Sequence, residues 1–152
     1  MWTKKMSLLL SRGCVFVFFA LILAGTIIIS FETPIFLRHL GGVFDTPKML
    51  AVSLVLLCAA AVSGLLALVA LHFLLNHIAR GDVFIPANVR LLRILSWLCF
   101  CAAGIFGAAG LTLHPVFHFG LLGAAFIGIL LRVVKNAFAE AVELKNENDL
   151  TV

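Results

Sequence analysis

Charge is scarce in this chain. Only 12% of its 152 residues are Asp, Glu, Lys or Arg, and its 14 phenylalanines outnumber all 11 lysines and arginines. The formal charge of +4 is scattered along the sequence, so no basic stripe of the kind that grips nucleic acid is expected. No charged residue stands near the middle of any long apolar run. Proton relays, coupling-ion sites and voltage sensors need such intramembrane ionisable groups, and broken helices with facing half-helix ends are missing as well. A phosphate-cradling glycine loop, an H-E-x-x-H pair and a nucleophile–base pair at recognisable spacing are also wanting. Neither an enzyme nor an active transporter is expected, and no cofactor is implied.

Apolar residues fill the space. They make up 63% of the chain, and mean hydropathy is +1.19. A water-soluble domain of this size buries only about two-thirds of its chain surface and could not hide so much hydrocarbon. Four long runs, at about residues 13–31, 49–75, 94–113 and 116–131, match the span of about 20 helical residues that a bilayer core requires. Helices are the form expected, because lipid leaves open strand edges without partners and the runs do not alternate polar with apolar. The expected fold is therefore an all-α membrane protein, four transmembrane helices in an antiparallel bundle, forming one integral membrane domain.

Helix punctuation marks the breaks. Glu32-Thr33-Pro34 is expected to end the first helix, since proline lacks an N–H and disfavours a helical residue before it. Thr46-Pro47 reads as N-cap and first residue of the second helix. Arg80-Gly81 closes that helix, Pro86 opens the third, and Pro115 sits in a short turn before the fourth. Nine of the eleven basic residues, Lys4, Lys5, Arg12, Arg80, Arg90, Arg93, Arg132, Lys135 and Lys145, fall on the side of the N-terminus; only Arg38 and Lys48 fall on the other. The positive-inside rule then puts both termini in the cytoplasm. The first run is longer than a signal-peptide core and reads as an uncleaved span.

Small residues should mark helix contacts, because hydrophobicity does not drive association in lipid. Ala103, Gly107 and Gly110 on the third helix and Gly120, Ala124 and Gly128 on the fourth predict a tight bundle in which these two helices are most intimate. Ala59, Ser63 and Ala67, with Gly64 beside them, form the stripe on the second.

Candidate chemistry is thin. Cys14, Cys58, Cys99 and Cys101 lie inside the spans and read as small buried hydrophobes. His114 and His118 are the weak metal candidates: four apart, with His39, Glu32 and Asp45 on the same side. Pro115 between them makes a turn as natural as a helix, and ordinary interfacial histidines are the expectation.

Two cytoplasmic segments stand out. The loop from Arg80 to Arg93 mixes Val83, Phe84 and Ile85 with three arginines. It reads either as an interfacial loop whose arginines meet anionic lipid or as a docking loop, with the former favoured. Beyond Arg132, Val134, Phe138, Ala141 and Val142 recur at helical spacing opposite Lys135, Glu140 and Glu143. The fourth helix is thus expected to extend into the cytosol as an amphipathic helix over residues 132–152, giving way to Glu147-Asn148-Asp149-Leu150-Thr151-Val152. A free carboxylate end with alternating Leu150 and Val152 suits strand addition to a partner; a frayed tail is the plainer reading.

At these two segments the chain resembles a bacterial family catalogued as domain of unknown function 2975. The likeness runs over essentially the whole length. It is carried by Gly81, Phe84 and Asn88 in the loop, then Leu92 and Ile94, and by the ending Glu147-Asn148-Asp149-Leu150-Thr151-Val152 after the 140–145 run. The resemblance implies a small multi-pass protein of the bacterial plasma membrane with unassigned biochemistry, whose gene often neighbours one for a small helix-turn-helix transcription regulator. It supplies no catalytic or ligand residues. The leading expectation is a regulatory or interaction protein partnered with such a regulator through Gly81, Phe84, Asn88, Arg90, Arg93 and the 147–152 tail. The alternative is a small channel, carrier or lipid-binding protein, for which Ser53, Ser63, Thr112 and Asn76 are too sparse to outline a path. Membrane lipid is the implied environment, and a homo-oligomer is a further partner class that the sequence allows.

Overall fold

A computed structural model describes residues 4–39 and 47–150. Four helices account for nearly all of them: α1 (Lys4–His39), α2 (Pro47–Ala79), α3 (Pro86–Thr112) and α4 (Phe117–Leu150). No strand occurs among the described residues. Each helix contains a segment long and apolar enough to cross a membrane: Met6–Glu32, Lys48–Ala79, Pro86–Thr112 and Phe117–Asn148. Thr46, expected to cap α2, lies outside the described residues, as do Asp45, Thr151 and Val152.

The helices outrun the sequence expectation at two ends. α1 continues through Glu32-Thr33-Pro34 to His39 instead of stopping there. A proline is tolerated inside an apolar helix because the freed backbone carbonyl finds other partners more cheaply than a broken helix would in lipid. α4 stays helical through Leu150, so the backbone of residues 147–150 is not the extended strand that edge addition would use. The α2 and α3 boundaries follow their punctuation. Ile85 is extended before Pro86 (φ −129°, ψ 149°), and Pro86 occupies the first helical turn, where its missing N–H costs nothing.

Packing follows chain order. α1 lies on α2, α2 on α3, and α3 on α4 most extensively; among the described residues α1 makes no close approach to α3 or α4. The expected tight bundle is instead an open row of helices. Lipid gives no hydrophobic impulse to close such a row, and Gly13 and Gly25 of α1 have no neighbour within 4 Å of where a Cβ would stand. Large apolar side chains face outward on several helices: Leu9, Phe31, Leu111 and Phe119 are 77–83% exposed. Water would not tolerate that surface, whereas acyl chains match it.

α3 and α4 are locked by backbone proximity. Trp97 and Phe100 meet Arg132, Phe100 also meets Gly128, and Phe106 meets Gly120, so positions climb along α4 as they fall along α3. At Gly128 an added Cβ would lie 3.1 Å from Phe100 Cε1 and 3.3 Å from Cys99 Cβ. The closeness lets the buried Ser96 Oγ donate to the Gly128 carbonyl at 3.0 Å, a polar tie between helices in an apolar solvent. Gly107, by contrast, stands at ordinary contact distance from Leu121. None of the four cysteines is buried as expected: Cys14, Cys58 and Cys101 are exposed, and Cys99 is half-buried. A thiol behaves as a small hydrophobe, so facing lipid costs it little.

Candidate interaction site

The end of the array that carries the α2–α3 loop is its best-packed part. Ala70 and Leu74 of α2 and Leu92 and Leu95 of α3 form a buried cluster, flanked by Ile78, Leu91, Leu131 and Phe138. The cluster draws on α2, α3 and α4.

α2 ends in a two-bond terminal motif. Gly81 takes φ +89°, its N–H donates to the Ile78 carbonyl at 3.1 Å, and the Asp82 N–H donates to His77 O at 3.0 Å. That geometry needs a glycine, because a Cβ is strained at this φ. The chain is thereby turned back toward α3, where Asn88 takes over. Asn88 has no exposed surface. Its Nδ2 donates to the carbonyls of Asp82 (2.8 Å) and Val83 (2.7 Å), and its Oδ1 lies 2.7 Å from His77 Nδ1. Both amide hydrogens being used, Oδ1 is the acceptor and His77 Nδ1 the donor. One side chain thus ties the end of α2, the loop and the start of α3.

Phe84 carries the loop onto α4. Its ring centroid is 5.5 Å from that of Phe138 in a tilted pair, while 44% of its surface stays exposed. One turn and a half earlier on α4, the Arg132 guanidinium sits 4.8 Å from the Trp97 ring centroid and 5.7 Å from that of Phe100. Such stacking holds a cation at an apolar boundary with little loss of hydration. Val142 is buried, so α4 remains packed for more than two turns past Arg132.

The sequence-derived residues therefore divide. Gly81 and Asn88 build the loop from within, and Asn88 has no surface to offer a partner. Phe84, Arg90 and Arg93 are exposed around it, and Glu147 and Asn148 are exposed farther along α4. Asp149 and Leu150 are helical in backbone, and Thr151 and Val152 fall outside the described residues. His77 and Phe138 complete the junction although sequence reasoning gave them no site role. The available signal was a lone asparagine among Ala87, Val89 and Leu91, which must find acceptors and donors nearby.

The histidine pair serves the α3–α4 turn. His114 Nδ1 accepts from the Val116 N–H at 3.2 Å, and His118 Nδ1 lies 2.9 Å from the Pro115 carbonyl, with its ring against Gly110. Among the described residues no three His, Cys, Asp or Glu side chains converge as a metal would need.

A groove of about 460 Å³ opens in the middle of the array, lined from all four helices, including Ile22, Thr26, Gly64, Ala102, Phe106 and Ala124. Its hydroxyls are spent on their own helices: Thr26 Oγ1 donates to Ile22 O and Ser63 Oγ to Ala60 O. Ser53 and Thr112 do likewise with Leu50 and Ala108.

Length, apolarity and the outward-facing hydrocarbon define a multi-pass, all-helical membrane protein. More particularly, the chain belongs to the family described as protein of unknown function DUF2975, whose model matches residues 7–152. No curated protein and no solved structure matches it.

Proposed function

We propose that this is a non-enzymatic interaction protein of the bacterial plasma membrane, with its four helices antiparallel, both termini cytoplasmic and α4 extending into the cytosol. The α2–α3 loop and the α4 extension form its working face, which docks a small helix-turn-helix transcription regulator and so lowers the regulator's free concentration at DNA. The observation that carries this is the Phe84–Phe138 contact, which joins the loop to the extension while leaving Phe84 partly open. The basic-residue bias supports the orientation, and the gene neighbourhood implied by the family likeness supports the partner class.

The test is fractionation of cells co-expressing the regulator. Wild-type protein should hold the regulator in the membrane fraction, and Phe84→Ala with Phe138→Ala, or deletion of residues 146–152, should release it. Unchanged localisation and target transcription in both variants would contradict the docking role. The groove favours a second reading, in which the protein binds lipid: its wall offers hydrocarbon and no unsatisfied hydroxyl, which suits an acyl chain and not a hydrated ion.

A further inference from the structure

Arg12 stands on α1 at the same end of the array as the loop, and it is half-buried against α2. Its Nη2 donates to Asn76 Oδ1 at 2.6 Å. Its Nε is buried and has no acceptor. A guanidinium has five N–H donors, and here one hydrogen bond, to a neutral amide, is all that the described residues give it. Among the described residues no carboxylate forms an ion pair with it. One turn deeper, Phe16 of α1 and His72 of α2 close the interface edge-to-face, with ring centroids 5.8 Å apart. A cation held at the edge of a hydrocarbon layer with no counter-charge is costly, and an anion with several acceptor oxygens would relieve it.

We propose that Arg12, oriented by Asn76, is a binding site for a phosphate group between α1 and α2. Phosphate oxygens match the planar fork of a guanidinium, and the flexible stem lets the charged head reach the headgroup layer while its methylenes stay in apolar surroundings. Two sources carry this chemistry, a phospholipid headgroup and free inorganic phosphate. Asn76 holds the fork in place without neutralising it, which a carboxylate at that position would do. The site is independent of regulator docking.

The full chain in detergent, washed free of lipid, provides the test. Thermal unfolding is followed during titration with short-chain phosphatidylglycerol, inorganic phosphate, or a short-chain diacylglycerol that lacks phosphate. Phosphatidylglycerol should raise the unfolding temperature and the diacylglycerol should not. Arg12→Gln and Asn76→Asp should each weaken the apparent affinity by about tenfold or more, as loss of a charge-assisted hydrogen bond implies. Lys145→Gln, at an exposed site on α4, should leave it unchanged. Asn76→Asp decides the matter, because it gives the guanidinium an internal partner, so loss of binding there does not reflect unfolding. An equal shift with inorganic phosphate assigns the site to the free ion, and a shift with the lipid alone assigns it to the headgroup. Wild-type affinity in Asn76→Asp, or a diacylglycerol effect equal to that of phosphatidylglycerol, would overturn the proposal.

Discussion

The α1–α2 pair is the more apolar of the two outer pairs, yet the α3–α4 pair is the more closely held. α3 buries Asn88, Leu92, Leu95, Ser96, Ala103, Ala109 and Gly110, whereas Val15 is the one α1 residue buried among those described. Between α3 and α4, the Gly128 backbone comes close enough for a side-chain-to-carbonyl hydrogen bond. Between α1 and α2, the corresponding close approach is Gly64 against the Ile22 Cδ1 methyl, the far end of a flexible side chain, and a polar tie is the bond from Arg12 to Asn76. In lipid, hydrocarbon content does not decide which helices adhere; backbone approach and polar bonds do.

That contrast can be attacked at three points. Asn88→Leu should have the largest effect, about 3 kcal/mol, because it strands two loop carbonyls and a histidine N–H in a buried place. Equilibrium unfolding in mixed micelles with increasing dodecyl sulfate would measure it, and a loss under about 1 kcal/mol would mean that the loop finds other partners. Gly128→Leu should cost about 2 kcal/mol by forcing α3 away and breaking the Ser96 bond. The matched change on the other pair, Gly64→Leu, should cost about 1 kcal/mol or less, since Ile22 and the lipid-facing α1 can yield. Equal losses for the two leucine variants in the same assay would erase the distinction between the pairs.

Much of the architecture is readable from sequence because single residues report it. Arg80-Gly81 and Pro86 mark their helix ends through backbone chemistry that acts within a few positions, and small residues at four-residue spacing, Ala103 with Gly107 and Gly120 with Ala124 and Gly128, point to the α3–α4 seam. Pro34 misleads for the opposite reason: its local preference is overruled by a solvent that penalises any unpaired backbone. The open row is not legible either, because closure depends on whether α1 meets α4, and periodicity carries no information on pairs so far apart. Asn88 is conspicuous in sequence, yet its role depends on three acceptors and donors that only the folded loop assembles. Arg12 and Asn76, 64 positions apart, look like a flanking charge and a stray polar residue until α1 and α2 are laid side by side.

The central claim is that the α2–α3 loop is a built surface clamped by Asn88 and seated on α4. Hydrogen–deuterium exchange of the full chain in lipid nanodiscs tests it most directly, read over residues 80–88 and 133–142. The bonded amides of Gly81, Asp82, Val83 and Asn88 should be protected in the wild type and should lose that protection in Asn88→Leu, while the middle of α3 stays unchanged. Exchange of residues 80–88 at the rate of an unstructured peptide in the wild type would contradict it.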